Sequence, residues 1–249
     1  MDNGRVKKEI VDIEYDKVYT FYNNRKAKYD RDNPYILTML QDKNPNLVKK
    51  RNTYEWNKLH PLMNIDKNSK ILDVACGIGR WSDAITEDIN EYCGIDFSEE
   101  LISIAVERNK NLKNRTFLVG SVNHLTQILE NAKKGKFDKV LVFGICVYLN
   151  EKDIRSMFSQ IESMCCKNAL ICIREPVGIN ERLTLKDFYS QDLEVEYNSI
   201  YRTRIELENI FDETLLKKGF SIVNEGFLFE DTDLNNRKET SQYYYILQR

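Results

Sequence analysis

The chain has no long apolar run. Its longest, Val140 to Leu149, falls far short of the roughly 20 residues a membrane-spanning helix needs, and the charged start Met1 to Ile10 is unlike a secretory signal. It also lacks an excess of either charge. Lysines and arginines number 37 against 39 aspartates and glutamates, a formal net charge of -2, so no global positive field draws nucleic-acid phosphates. Histidine is scarce, with only His60 and His124. The six cysteines, Cys76, Cys93, Cys146, Cys165, Cys166 and Cys172, form no C-x-x-C pair and lie mostly in apolar segments. They read as reduced core thiols. Without a cluster of carboxylates and histidines, metal-independent chemistry is expected. Repeats, linkers and low-complexity blocks are absent as well. These absences point to a cytosolic protein; they give no support to a nucleic-acid partner or to membrane insertion, and leave oligomeric state open.

What is present is enough apolar sequence, 42% of 249 residues, for one large α/β domain but not comfortably for two. Strand-like runs recur at Lys70 to Ala75, Glu91 to Asp96, Arg115 to Val119, Phe137 to Phe143 and Ala169 to Arg174. Helical spacing falls between them, at Trp81 to Ile89, Glu99 to Asn109, Val122 to Ala132 and Lys152 to Met164. Strands alternating with helices imply a parallel, doubly wound sheet. The pattern loosens over Glu181 to Tyr201, gives a helix near Thr203 to Lys218, and ends in two strands, Phe220 to Phe229 and Gln242 to Leu247, around the polar stretch Glu230 to Thr240. Those two should pair antiparallel at the sheet edge. Residues 1–64, rich in charge and tyrosine, read as a helical extension broken near Pro34 and Pro45; 65–249 read as the α/β domain.

Within that domain, Ile71 to Ala75 is a short apolar strand followed by a turn holding Gly77 and Gly79 and then by a helix. The glycines admit positive φ and close backbone approach to a ligand. Asp96 ends the next strand, where a carboxylate can accept from both hydroxyls of a ribose. A dinucleotide site would show a third glycine, but Ser82 stands there. Asp73, inside the strand before the loop, would repel a pyrophosphate and could instead pair with an amino acid's ammonium.

The pattern Asp73-x-x-x-Gly77-x-Gly79 plus Asp96 resembles motif I and the acidic strand-two motif of class I S-adenosylmethionine-dependent methyltransferases. The resemblance implies a Rossmann-like fold, with a mostly parallel seven-stranded sheet, an antiparallel final strand and helices on both faces. It implies S-adenosylmethionine as cofactor and S-adenosylhomocysteine as product. The cofactor candidates are Asp73, Ala75, Cys76, Gly77, Gly79, Arg80, Asp96, Phe97, Ser121, Val122, Phe143 and Gly144. Ser121 takes the place where the family often has an acid reading adenine. Arg25 and Tyr29 join them from the N-terminal segment, whose blocks Phe21 to Ala27 and Asn33 to Met39 suggest a lid. No Asn/Asp-Pro-Pro-Tyr sequence follows the fourth strand, which argues against base methylation.

More loosely, Asn33 to Tyr35, Gln41 to Pro45, Gly79 to Trp81 and Arg182 to Tyr189 are similar to small bacterial methyltransferases of surface-polysaccharide modification. That similarity implies methyl transfer to an oxygen of a saccharide, phosphate or nucleotide-linked intermediate. Catalytic candidates are Arg174 as an anion-binding fork, Glu175 as a base or hydroxyl-orienting group, His124 as an alternative base, and Tyr148. Tyr189, Tyr197, Tyr201 and Arg202 could wall an acceptor pocket.

Overall fold

The computed structural model describes residues 4–40, 42–229, 232–235 and 237–249. Gln41, the first residue of the block Gln41 to Pro45, lies outside the described residues, as do Met1 to Asn3 and parts of the Glu230 to Thr240 stretch.

The chain runs through β1 (Arg5–Lys7), α1 (Tyr15–Asn24), α2 (Ile36–Met39) and α3 (Pro45–Met63) before entering the main sheet. There follow β2 (Lys70–Val74), α4 (Arg80–Ala84), β3 (Glu91–Asp96), α5 (Glu99–Asn109), β4 (Arg115–Val119), α6 (Leu125–Asn131), β5 (Phe137–Phe143), α7 (Glu151–Met164) and β6 (Cys165–Gly178). The last part comprises β7 (Leu183–Ser190), β8 (Val195–Tyr201), α8 (Arg204–Thr214), β9 (Ser221–Phe227) and β10 (Thr240–Gln248). Seven strands form one sheet in the order β4-β3-β2-β5-β6-β10-β9. Only β10 runs against its neighbours, pairing antiparallel with both β6 and β9. Of the connection from β9, the described residues include a short 3-10 turn, Thr232–Leu234, and antiparallel neighbours need no long crossover.

The central strands are buried on both faces, and side-chain alternation sorts them into two cores. Leu72, Val74, Val140, Val142, Ile171 and Ile173 face a core that includes α7 and α8. Ile71, Leu141 and Cys172 face the other, which α3 covers with Leu59 and Met63. By the same period of two, Asp73 and Arg174 share the α3 side, while Glu175 points to the opposite one.

The N-terminal extension is not purely helical. β1 adds to β7, and β7 pairs with β8, making a second, three-stranded antiparallel sheet from the start of the chain and the segment between β6 and β9. At three residues with two charges, β1 carries no strand pattern of its own. Pro45 starts α3 rather than breaking a helix: Asn44 caps it by accepting from the Leu47 amide, and the proline sits where no amide is needed. The expected helix Trp81 to Ile89 stops at Ala84, because the chain becomes extended at Ile85 so that Ile85 and Ile89 both enter the α3-side core. The segment from Val122 begins as a 3-10 turn and becomes α-helical only at Leu125. Among the described residues, no helix is long and apolar enough to cross a membrane.

Candidate active site

One cavity opens at the carboxyl ends of β2, β3, β5 and β6, where parallel α/β sheets bind ligands. Its floor is the loop after β2. Ala75, Gly77 and Gly79 all take positive φ there, at 60°, 56° and 76°. At Gly77 the backbone is crowded from above: a Cβ would lie 2.7 Å from Thr38 Cγ2. Thr38, Met39 and Leu40 line the cavity, so the C-terminal end of α2 covers the loop.

Asp96 ties the loop to the end of β3. Its Oδ2 accepts from the Gly77 amide at 2.9 Å and its Oδ1 from the Ser98 amide at 3.0 Å. Each oxygen keeps further acceptor capacity, and the residue lines the cavity. Burial pushes the carboxyl up to about 6 against the pull of those amides. Asp73, on β2, accepts from the Tyr92 hydroxyl. Burial raises it further, to about 7.

The opposite wall is charged. Glu55 of α3, fully enclosed, accepts from Arg80 Nη2 at 2.5 Å and lies 3.2 Å from Arg174 Nε. Arg80 also donates to Asn52 at 2.8 Å. Arg174 reaches Gln242 at 3.3 Å and lies over the Phe143 ring. Burial alone would raise the Glu55 carboxyl, but the two guanidinium groups hold it below its ordinary value. Arg51, one turn earlier on α3, lines the same cavity. Neither Arg51 nor Glu55 was among the residues expected from sequence. A signal existed: with Val48, Leu59 and Met63 they occupy the buried stripe of α3, and charges on an otherwise apolar stripe call for partners.

A third wall is aromatic. The Tyr148 and Tyr197 hydroxyls are 2.6 Å apart, and both residues line the cavity with Tyr22 and Tyr201. Tyr197 and Tyr201 come from β8, so the segment where sequence periodicity fades supplies two wall residues. Arg202 does not join them. Its guanidinium donates to the Cys146 and Leu149 carbonyls and to Glu151, tying β8 to the loop before α7. Burial would raise the Glu151 carboxyl, yet Arg202, Arg155 and Arg182 hold it down at about 2. Tyr189 is exposed.

Of the residues expected in the site, Asp73, Ala75, Cys76, Gly77, Arg80, Asp96, Phe97, Phe143, Gly144, Tyr148 and Arg174 line the cavity. Gly79 stands just behind, as the left-handed N-cap of α4. Others are placed elsewhere. Arg25 is buried in the extension, where it donates to the Leu37 and Ile36 carbonyls and pairs with Asp42, so its guanidinium is committed to holding that segment. Tyr29 packs among Leu37, Ile78 and Leu101. Ser121 accepts from the Asn123 amide as a cap, and Val122 is a core residue. His124 is exposed on the 3-10 turn, off the cavity. Glu175 lies behind the cavity wall: its Oε1 accepts from the Ile145 and Cys146 amides at 2.9 and 3.1 Å, shaping the loop that carries Tyr148. Adjacent strand residues point to opposite faces, so Arg174 and Glu175 could not both face the acceptor. His60 stacks on Trp56 and lies 2.6 Å from Glu87, outside the cavity. Among the described residues, no three His, Cys, Asp or Glu side chains converge as a metal-ion site.

A glycine turn after β2, buried acids on β2 and β3 and an α/β sheet of this order define a class of protein, and the comparisons agree with it. Residues 65–248 match the family described as Methyltransferase domain, and the chain belongs to that family. It is 29% identical to the demethylmenaquinone methyltransferase of Staphylococcus epidermidis over 129 residues, 50% of this chain and 46% of that one. The chain thus spans about half the length of the curated relatives it matches. In structure it is similar to a Haemonchus contortus phosphoethanolamine N-methyltransferase, solved with phosphoethanolamine and S-adenosylhomocysteine, at TM-score 0.69 and 18% identity over 94% of this chain and 48% of the other. The magnesium protoporphyrin IX methyltransferase of Synechocystis, solved with S-adenosylmethionine, gives TM-score 0.59 and 14% identity over 94% and 93%. The fold is that of the Rossmann-like class I methyltransferases.

Proposed function

We propose that the chain is a cytosolic S-adenosylmethionine-dependent methyltransferase that acts on an oxygen of a small acceptor: a saccharide, a phosphate or a nucleotide-linked intermediate of bacterial surface-polysaccharide modification. The observation that carries the cofactor assignment is Asp96, buried at the end of β3 with one backbone amide on each oxygen and spare lone pairs on the cavity side. The residues present fit the cofactor. Asp96 would accept from the ribose hydroxyls, and Asp73, which lines the same cavity, would face the ammonium of the methionine part. S-adenosylmethionine, when bound, supplies a methyl group on a sulfonium, open to in-line displacement by an acceptor oxygen.

The protein's own task is then alignment and water exclusion. Thr38, Met39 and Leu40 cover the loop from one side; Tyr22, Tyr148 and Tyr197 close the other. Arg174, held by Glu55 and stacked over Phe143, presents a fixed guanidinium to the acceptor region. The acceptor class draws further support from the loose similarity to polysaccharide-modifying methyltransferases at Asn33 to Tyr35 and Arg182 to Tyr189.

Isothermal calorimetry with S-adenosylhomocysteine, with NAD as control, tests the reading. Micromolar binding of the first and none of the second is expected. Failure to bind S-adenosylhomocysteine would overturn it.

A further inference from the structure

Helix α3 brings two charged side chains to the cavity, and among the described residues only one of them has an oppositely charged partner. Glu55 is shared by Arg80 and Arg174. Arg51 has no such partner. It is only 5% exposed, its Nε has no hydrogen-bond partner, and no carboxylate among the described residues pairs with it. Its neighbour is the Phe229 ring, 5.8 Å from the guanidinium carbon. Burial, and next the repulsion of Arg174, lower its pKa to about 10, which leaves it cationic at neutral pH.

A buried guanidinium without a counter-charge is costly to fold, and the rest of the cavity does not supply one. Its lining holds Arg51, Arg80, Arg174 and Arg237 against Glu55, Asp73 and Asp96. The last two are the acids that suit the cofactor. A cofactor whose ammonium and sulfonium outweigh its carboxylate adds positive charge rather than removing it. A neutral saccharide hydroxyl would leave Arg51 as it stands.

We propose that Arg51, with Arg174 beside it, anchors a phosphate group of the acceptor. A phosphomonoester dianion offers three oxygens to two planar forks and balances the surplus charge, which a single carboxylate would not. This deepens the methyltransferase reading above and rests on it. Arg237, which donates to the Tyr201 hydroxyl at 3.1 Å, lines the same cavity as a further cation.

The test is calorimetry on the full chain: S-adenosylhomocysteine first, then inorganic phosphate titrated into the saturated complex, with acetate as the monoanion control. Saturable phosphate binding is expected, stronger than acetate binding. Arg51→Gln should weaken phosphate at least tenfold while leaving the S-adenosylhomocysteine Kd within twofold. Its thermal midpoint should not fall, since the lost charge has no carboxylate partner among the described residues; Arg51→Lys, which keeps the charge without the fork, should bind phosphate with intermediate affinity. Equal phosphate affinity in wild type and both variants would overturn the proposal. So would acetate binding as tightly as phosphate, or a tenfold loss of S-adenosylhomocysteine affinity in Arg51→Gln, which would make Arg51 a cofactor residue. Wild-type protein that binds no S-adenosylhomocysteine would instead remove the methyltransferase reading, and this inference with it.

Discussion

Arg80 donates to Glu55 at 2.5 Å inside the protein, joining the first turn of the cofactor-loop helix to a residue 25 positions earlier on α3. The extension is therefore fastened to the catalytic sheet by a buried ion pair, and Arg174 makes the same carboxylate serve β6.

Glu55→Gln should accordingly be among the more damaging single changes. It leaves two enclosed guanidinium groups without their counter-charge, and breaking a buried pair in this way costs about 3–5 kcal/mol. Urea unfolding should show the loss as a lower midpoint at constant slope. A Glu55→Gln/Arg80→Gln double variant should lose less than the sum of the single losses; strict additivity would show that the pair is not coupled.

Asp96→Ala removes the acceptor for two backbone amides and for the proposed ribose contacts. Affinity for S-adenosylhomocysteine should fall by about 2 kcal/mol or more, roughly 30-fold, with the circular dichroism spectrum retained. Unchanged affinity by calorimetry would remove Asp96 from the cofactor site.

The raised Asp73 and Asp96 carboxyls, near 7 and 6, set two opposite pH trends. Both bind protons more tightly in the native than in the unfolded chain. Their contribution to the stability of the free protein is full below the ordinary carboxylate range and is lost as pH rises through about 6 and 7. Cofactor binding runs the other way, because an ammonium and ribose hydroxyls require the ionised acids. S-adenosylhomocysteine should bind roughly tenfold more weakly at pH 5.5 than at pH 8, and Asp73→Asn should flatten the upper part of the curve. A pH-independent Kd would contradict the contact.

Gly77→Ala places a methyl group against Thr38 Cγ2 in a backbone conformation with φ of 56°. The left-handed conformation alone costs roughly 1–2 kcal/mol, and the contact adds to it. Cofactor affinity and thermal midpoint should both drop. Thr38→Ser, which deletes that methyl, should restore part of each in the double variant. No rescue would mean that the end of α2 does not press on the loop.

The sequence by itself determined the sheet and the cofactor corner, because both are written in short-range pattern. Apolar runs of four to seven residues alternating with helical spacing fix parallel strands, and Asp73, Gly77, Gly79 and Asp96 sit at strand ends whose place in such a sheet follows from topology. Arg174 and Glu175 were both expected at the acceptor; strand residues alternate faces, and the structure turns Glu175 to the Ile145 and Cys146 amides. The tertiary structure decided what depends on partners distant along the chain. That Arg25 holds Leu37 and Asp42 while Arg51 and Glu55 of the extension enter the cavity follows from how α3 docks on the sheet, and one arginine's spacing looks like another's until packing assigns their neighbours. The second sheet is the same case: β1 becomes a strand only because β7, nearly 180 residues later, offers it an edge.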